Sequence, residues 1–189
     1  MALAIESSTT QIEGSLPIDQ AKSFEAVIVV CVIWETRDRV AFVVENEKRP
    51  WKLPGQIWVV FETMKPGEIP DVTARRWLKE ELDVLWNEVD FIVEKGWLIL
   101  HIEDEGKKIV SKARVLLAQL KMGTQIKGIL DTSELQERGM MTVEEMRSKS
   151  SEKLRPGTLE ALEIALSNEP GMIELTNILH VKNAVVIDN

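Results

Sequence analysis

The chain has 189 residues, 44% of them hydrophobic and 29% charged, with a formal net charge of -8. That length suits one domain large enough to bury a core without covalent staples. The acidic balance lacks the basic stripe that a nucleic-acid polymer partner would need, although an acidic protein can still hold phosphates through a bound cation. The single cysteine, Cys31, excludes an internal disulfide and reads as a small buried hydrophobe. No apolar run approaches the ~18–20 residues of a bilayer span, and the first ten residues lack a basic region before their short apolar start. A soluble, cytoplasmic protein with no membrane partner is expected.

Residues 1–22 are rich in Ser and Thr and read as an arm, residues 23–170 as the folded domain and residues 171–189 as a C-terminal extension. Residues 26–34 (AVIVVCVIW) form an unbroken β-branched run, the pattern of a strand buried on both faces. A polar turn at 35–39 leads to a second strand at 40–45, and the two read as a hairpin. A loop punctuated by Pro50, Pro54 and Gly55 follows, then a short apolar strand at 57–61. After the turn-rich stretch 65–70, Asp71 offers a helix N-cap, and Ala74, Leu78, Leu82 and Leu85 make one apolar stripe. The spacing predicts a helix over 72–85. Strands are expected at 91–94, 97–103 and 109–120, with a turn at 104–107. Thr142 and Glu145 form a capping-box pair opening a short helix. Leu159, Leu162, Ala165 and Leu166 predict a second amphipathic helix over 158–168, ahead of an apolar tail at 173–187. Helices on either side of a mixed sheet give an α/β sandwich.

The chemistry concentrates on the first helix. At about 100° per residue, Glu80 and Glu81 fall on either side of Trp77, at the edge of the buried stripe. Adjacent carboxylates converging on a small volume repel unless a cation lies between them, and hard oxygen donors suit Mg2+ or Mn2+. Taken alone, Lys79-Glu80-Glu81 on an amphipathic helix is an ordinary solvated face, and Arg76 with Glu80 an ordinary i,i+4 pair.

The surroundings of that helix change the reading. Leu53-Pro54-Gly55, Gly67-Glu68, a gap of seven residues and then Arg76-x-Leu78-x-Glu80-Glu81-x-x-Val84 resemble the Nudix box. The resemblance extends over roughly 25–168 in the order of elements, and it implies a Nudix-type α/β/α sandwich with a mixed β-sheet. It further implies that Glu80 and Glu81 hold a divalent metal with help from the Gly55 carbonyl and carry catalysis. Glu68 and Arg76 would brace the loop against the helix. A further acid before the last helix is also implied, with Asp131, Glu134 and Glu137 as candidates. Three positions depart from the motif: Glu62 stands at the leading glycine, Trp77 at the glutamate after the arginine, and Asp83 at the late glycine. Residues 56–64 also contain an insertion. Loss of a general base typically costs ~10²–10⁴-fold in rate.

Among other residues, Trp51, Trp77 and Trp86 are candidates to stack on a base or ribose, with Glu137 a substrate contact. Trp34, Trp58 and Trp97 fall in strands and read as core. His101 and His180 lack metal-ligand spacing. The leading function is a metal-dependent hydrolase of a pyrophosphate bond in a nucleoside diphosphate linked to another moiety. The alternative is a degenerate Nudix module that binds a nucleotide-like ligand or a protein partner. A third reading makes the apolar tail a homodimer contact.

Overall fold

A computed structural model describes residues 22–33, 38–46, 56–104, 107–126, 128–129 and 135–180. The expectations for residues 1–21 of the N-terminal arm, Trp34, the loop carrying Trp51 and Gly55, Asp131, Glu134 and the tail beyond His180 lie outside the described residues, while Lys22, expected in the arm, opens the first strand.

The longest apolar run forms β1 (Lys22–Ile33), at the centre of the sheet. Successive side chains of a strand point to opposite faces. Val27, Val29 and Cys31 therefore meet Ala74, Trp77, Leu78 and Leu82 of helix α1 (Pro70–Leu82). Ala26, Ile28, Val30 and Val32 meet Ala161, Leu162 and Ala165 of α3 (Thr158–Leu166) on the other side. With both faces covered, no position in the run is left for a polar residue. Burial pushes the Cys31 thiol above its ordinary pKa, which leaves it unreactive.

The remaining strands are β2 (Arg39–Glu45), β3 (Ile57–Trp58), β4 (Val60–Thr63), β5 (Val89–Asp104), β6 (Lys107–Leu120), β7 (Gly128–Ile129), β8 (Leu135–Thr142) and β9 (Gly171–His180). The sheet order is β7-β8-β2-β1-β6-β5-β9, with β3 on β2 and β4 on β1. The β1–β6 and β5–β9 pairs are parallel and the others antiparallel. Helices cover both faces, so the architecture is an α/β/α sandwich on a mixed sheet. Among the described residues no helix is long and apolar enough to cross a membrane.

Several elements differ from their expected form. The single strand at 57–61 is two strands with different partners: Trp58 pairs with Val43 of β2, and Val60 pairs with Val29 of β1. Among the described residues β1 and β2 pair at Val32 and Val40 alone, and the segment from Ile57 to Thr63 fills the fork between them. The strands expected at 91–94 and 97–103 are one strand, β5, whose register shifts at Gly96. Residues 171–180, expected in an extension, hydrogen-bond along β5 as β9. The last helix ends at Leu166. At α2 (Val143–Arg147) both capping-box bonds form: Thr142 Oγ1 accepts from the Glu145 N–H, and the Glu145 carboxylate accepts from the Thr142 N–H.

Candidate functional site

Helix α1 begins one residue before Asp71. Its N-cap is Ile69, without a side-chain bond, and Pro70 occupies the first turn, where its fixed φ fits and its missing N–H costs nothing. Asp71, expected as the cap, lies inside that turn and pairs with Arg75 at 2.9 Å. The helix stops at Leu82, short of the expected Leu85, because Asp83 adopts the left-handed conformation (φ 57, ψ 28). The Val84 N–H then donates to the Leu78 carbonyl six residues back, at 2.9 Å, which satisfies a carbonyl of the last turn. Leu85 lies beyond that turn and is 47% exposed.

The turn before the helix is tied to it by Arg76. Its guanidinium forks onto Glu68, Nε at 3.3 Å from Oε1 and Nη2 at 3.0 Å from Oε2. Glu68 also accepts the Lys65 N–H at 3.0 Å. The Arg76 bond, followed by that backbone bond, lowers the Glu68 carboxyl to about 2. The same bond raises Arg76 above its ordinary value. The third guanidinium nitrogen, Nη1, faces two further carboxylates, Glu62 at 3.6 Å and Glu80 at 3.9 Å.

The linkage has a definite sign. Glu68 has an ordinary pKa of 4.5 and a folded value near 2, so its contribution is complete above pH 4.5 and is lost as pH falls from there toward 2. Melting temperatures of the wild-type protein across that window are expected to fall more steeply than those of Glu68→Gln. Parallel curves would mean that the fork does not hold in solution.

The structure gives Glu80 and Glu81 unlike surroundings. The Glu80 side chain is 60% exposed and reaches back toward Arg76. Glu81 is buried, 6% exposed, where the C-terminal end of α1 meets β8. There Arg138 donates to the Glu81 carbonyl at 3.2 Å and lies 3.7 Å from the Asp83 carboxylate. Trp77 is 8% exposed and packs into the core with Leu78 and Leu82, so little of its ring is open for a ligand to stack on. Trp86 is 40% exposed, with the Arg75 guanidinium 3.7 Å from its ring. Trp58 is core, whereas Trp97 is half-buried under Arg114. Glu137 opposes Val44 in the β2–β8 pair, while Arg138 opposes Val43, a member of the α1-side core. Strand alternation therefore puts Glu137 on the face away from α1 and Glu81. His101 pairs with Glu174 of β9, and the described residues do not join it to the helix site.

Among the described residues, no three His, Cys, Asp or Glu side chains gather to hold a metal. Mg2+ typically keeps several waters and takes one or two carboxylates together with substrate phosphates. The donor chemistry of Glu80 and Glu81 fits a cation shared with a phosphate ligand, not one enclosed by protein alone. Sequence reasoning treated Glu62 only as a departure at a glycine position and passed over Arg138. Glu62 carried a legible signal, an acid near Arg76 in the motif. Arg138 carried none, because its contact with α1 spans 57 residues of sequence.

No protein-family model matches the sequence, and no curated protein matches it significantly. Solved structures do. The NUDIX domain of Shewanella oneidensis NrtR, complexed with ADP ribose, aligns with a TM-score of 0.56 and 15% identity over 80% of this chain and 91% of its own. A C. elegans Ap4A hydrolase aligns with a TM-score of 0.54 and 18% identity, over 75% of this chain and 93% of its own. A MutT NUDIX hydrolase from Burkholderia pseudomallei gives 0.56 and 12%, over 77% and 99%. The fold is that of the Nudix domain. The three positions that depart from the motif each have a definite place in the structure. Glu62 joins the Arg76 cluster, Trp77 lies in the core, and Asp83 is left-handed at the end of α1. Asp83→Gly is expected to hold or slightly raise the melting temperature. Asp83→Val, β-branched at positive φ, is expected to lower it by about 2–4 °C. Equal melting of the two variants would contradict the left-handed cap.

Proposed function

We propose that this protein is a Nudix-type hydrolase. It cleaves a pyrophosphate bond in a nucleoside diphosphate linked to another moiety, and uses Mg2+ or Mn2+ bound by Glu80, Glu81 and the Gly55 carbonyl. The carrying observation is the Glu68–Arg76 fork, which ties the turn at 65–68 to the helix bearing both acids. Glu80 presents its carboxylate to solvent, where a phosphate ligand and its cation arrive. Glu81 has little freedom, being buried beside a backbone carbonyl that Arg138 holds. A cation bound there would neutralise phosphate charge and acidify water. The partner is a small nucleotide-like molecule and the setting cytoplasmic, in keeping with a lone buried thiol and net charge of -8.

Phosphate release with Mg2+ or Mn2+, assayed across nucleotide sugars, dinucleotides and nucleoside triphosphates, tests this reading. Glu81→Gln is expected to lower the rate by about 10²–10³-fold. Absence of turnover with all of these substrates would end it.

A second reading, ligand or partner binding without hydrolysis, is favoured by one observation. The residue at the motif's first helical glutamate is Trp77, and it lies in the core. Calorimetry separates the two: heats of nucleotide binding that are indifferent to the metal, without turnover, belong to the second.

A further inference from the structure

We infer that Glu62 is a positioning residue that keeps Glu80 available to a cation by competing for Arg76. The inference rests on the reading of Glu80 as a metal ligand. Arg76 has one rigid planar fork. Two of its nitrogens, Nε and Nη2, are committed to Glu68, which fixes the direction of the third. That third nitrogen, Nη1, lies 3.6 Å from Glu62 and 3.9 Å from Glu80. Two carboxylates therefore share one remaining donor, and their exposures differ: the Glu62 side chain is 24% exposed and that of Glu80 60%. An ion pair strengthens as water is withdrawn from it, so the more enclosed Glu62 is the stronger competitor. Glu62 also stands in β4, hydrogen-bonded in register with Val27 of β1, which anchors its backbone. Glu80, on the exposed face of α1, is the partner with room to swing.

With Glu62 present, the charge on Nη1 is already answered, and the Glu80 carboxylate is held only weakly. Without it, Glu80 is the nearest remaining acid and closes on Arg76. A carboxylate neutralised by a guanidinium is a poorer ligand for a hard cation. Glu62 thus acts on the metal through Arg76 and Glu80, without being required to touch it. The side chain at the motif's glycine position thereby acquires a task that a glycine could not perform.

The test uses the full chain, Mn2+ alone as the probe, and electron paramagnetic resonance of free Mn2+ as the readout. It compares wild type, Glu62→Gln, Glu80→Gln and the double variant, with a crystal structure of Glu62→Gln. Glu62→Gln is expected to weaken Mn2+ binding about 10-fold, to have no further effect once Glu80 is already Gln, and to bring Glu80 closer to Arg76. Three results would overturn the inference. One is a lower melting temperature with unchanged Mn2+ affinity, which marks a purely structural acid. Another is a loss of affinity that persists in the Glu80→Gln background, which marks a general charge effect. The last is a Glu80–Arg76 separation that stays at its wild-type value in the crystal. That last measurement needs no metal. If Mn2+ affinity is the same in wild type and Glu80→Gln while Glu80 does close on Arg76 in Glu62→Gln, the metal-ligand reading fails and the competition for Arg76 stands.

Discussion

Replacing Trp77 by glutamate, which writes the Nudix motif residue back into α1, is expected to destabilise the domain by about 3–5 kcal/mol. Trp77 is 8% exposed and belongs to the core cluster beneath β1, β2 and β6. Deleting the ring removes a large apolar surface and opens a cavity. A carboxylate placed there faces Leu78, Leu82 and the sheet, with little water to solvate it. Trp77→Phe keeps most of the apolar volume and is expected to cost about 1 kcal/mol. Urea unfolding of the three proteins at neutral pH measures both differences, and a midpoint for Trp77→Glu equal to wild type would remove the ring from the core. The expectation also governs how activity is read. A gain in hydrolysis by Trp77→Glu, at a temperature where the variant is still folded, would show that a carboxylate at this position supports catalysis. A loss would be uninformative unless the folded fraction were measured beside it.

Gly96→Ala is the second large effect, expected to cost about 3–5 kcal/mol and to weaken the docking of β9. Gly96 has φ 139, a conformation that side chains with a Cβ rarely adopt. An added Cβ would also sit 1.8 Å from the Gly171 carbonyl oxygen. That oxygen is backbone, so no rotamer change relieves the overlap, and the strands must part where β9 begins to pair with β5. Hydrogen exchange should rise first along residues 171–180, ahead of the centre of β1. Protection unchanged along β9 would contradict the close approach of Gly96 to Gly171.

The two substitutions bear on different parts of what a reader of the sequence can see. The Nudix resemblance was carried by Glu68, Arg76, Glu80 and Glu81, and it implied the Glu68–Arg76 contact, which spans only eight residues. The capping box at Thr142 was legible for the same reason, since both bonds span three residues. The end of α1 was misjudged because Leu85 continues the apolar period, while Asp83 breaks the backbone in a way that composition does not signal.

What the sequence determined by itself is local: β1 covered on both faces, the apolar stripe of α1, the capping box of α2 and the spacing of the motif acids. Each depends on residues close along the chain, whose geometry the helical or strand period dictates. Tertiary structure decided the rest. It split residues 57–63 between β2 and β1, joined 171–180 to the sheet through Gly96, turned Glu137 to the face away from Glu81, and brought Arg138 to the end of α1. These outcomes depend on which strand lies beside which, a choice made by packing both faces of the sheet at once. No periodicity in a single segment records it.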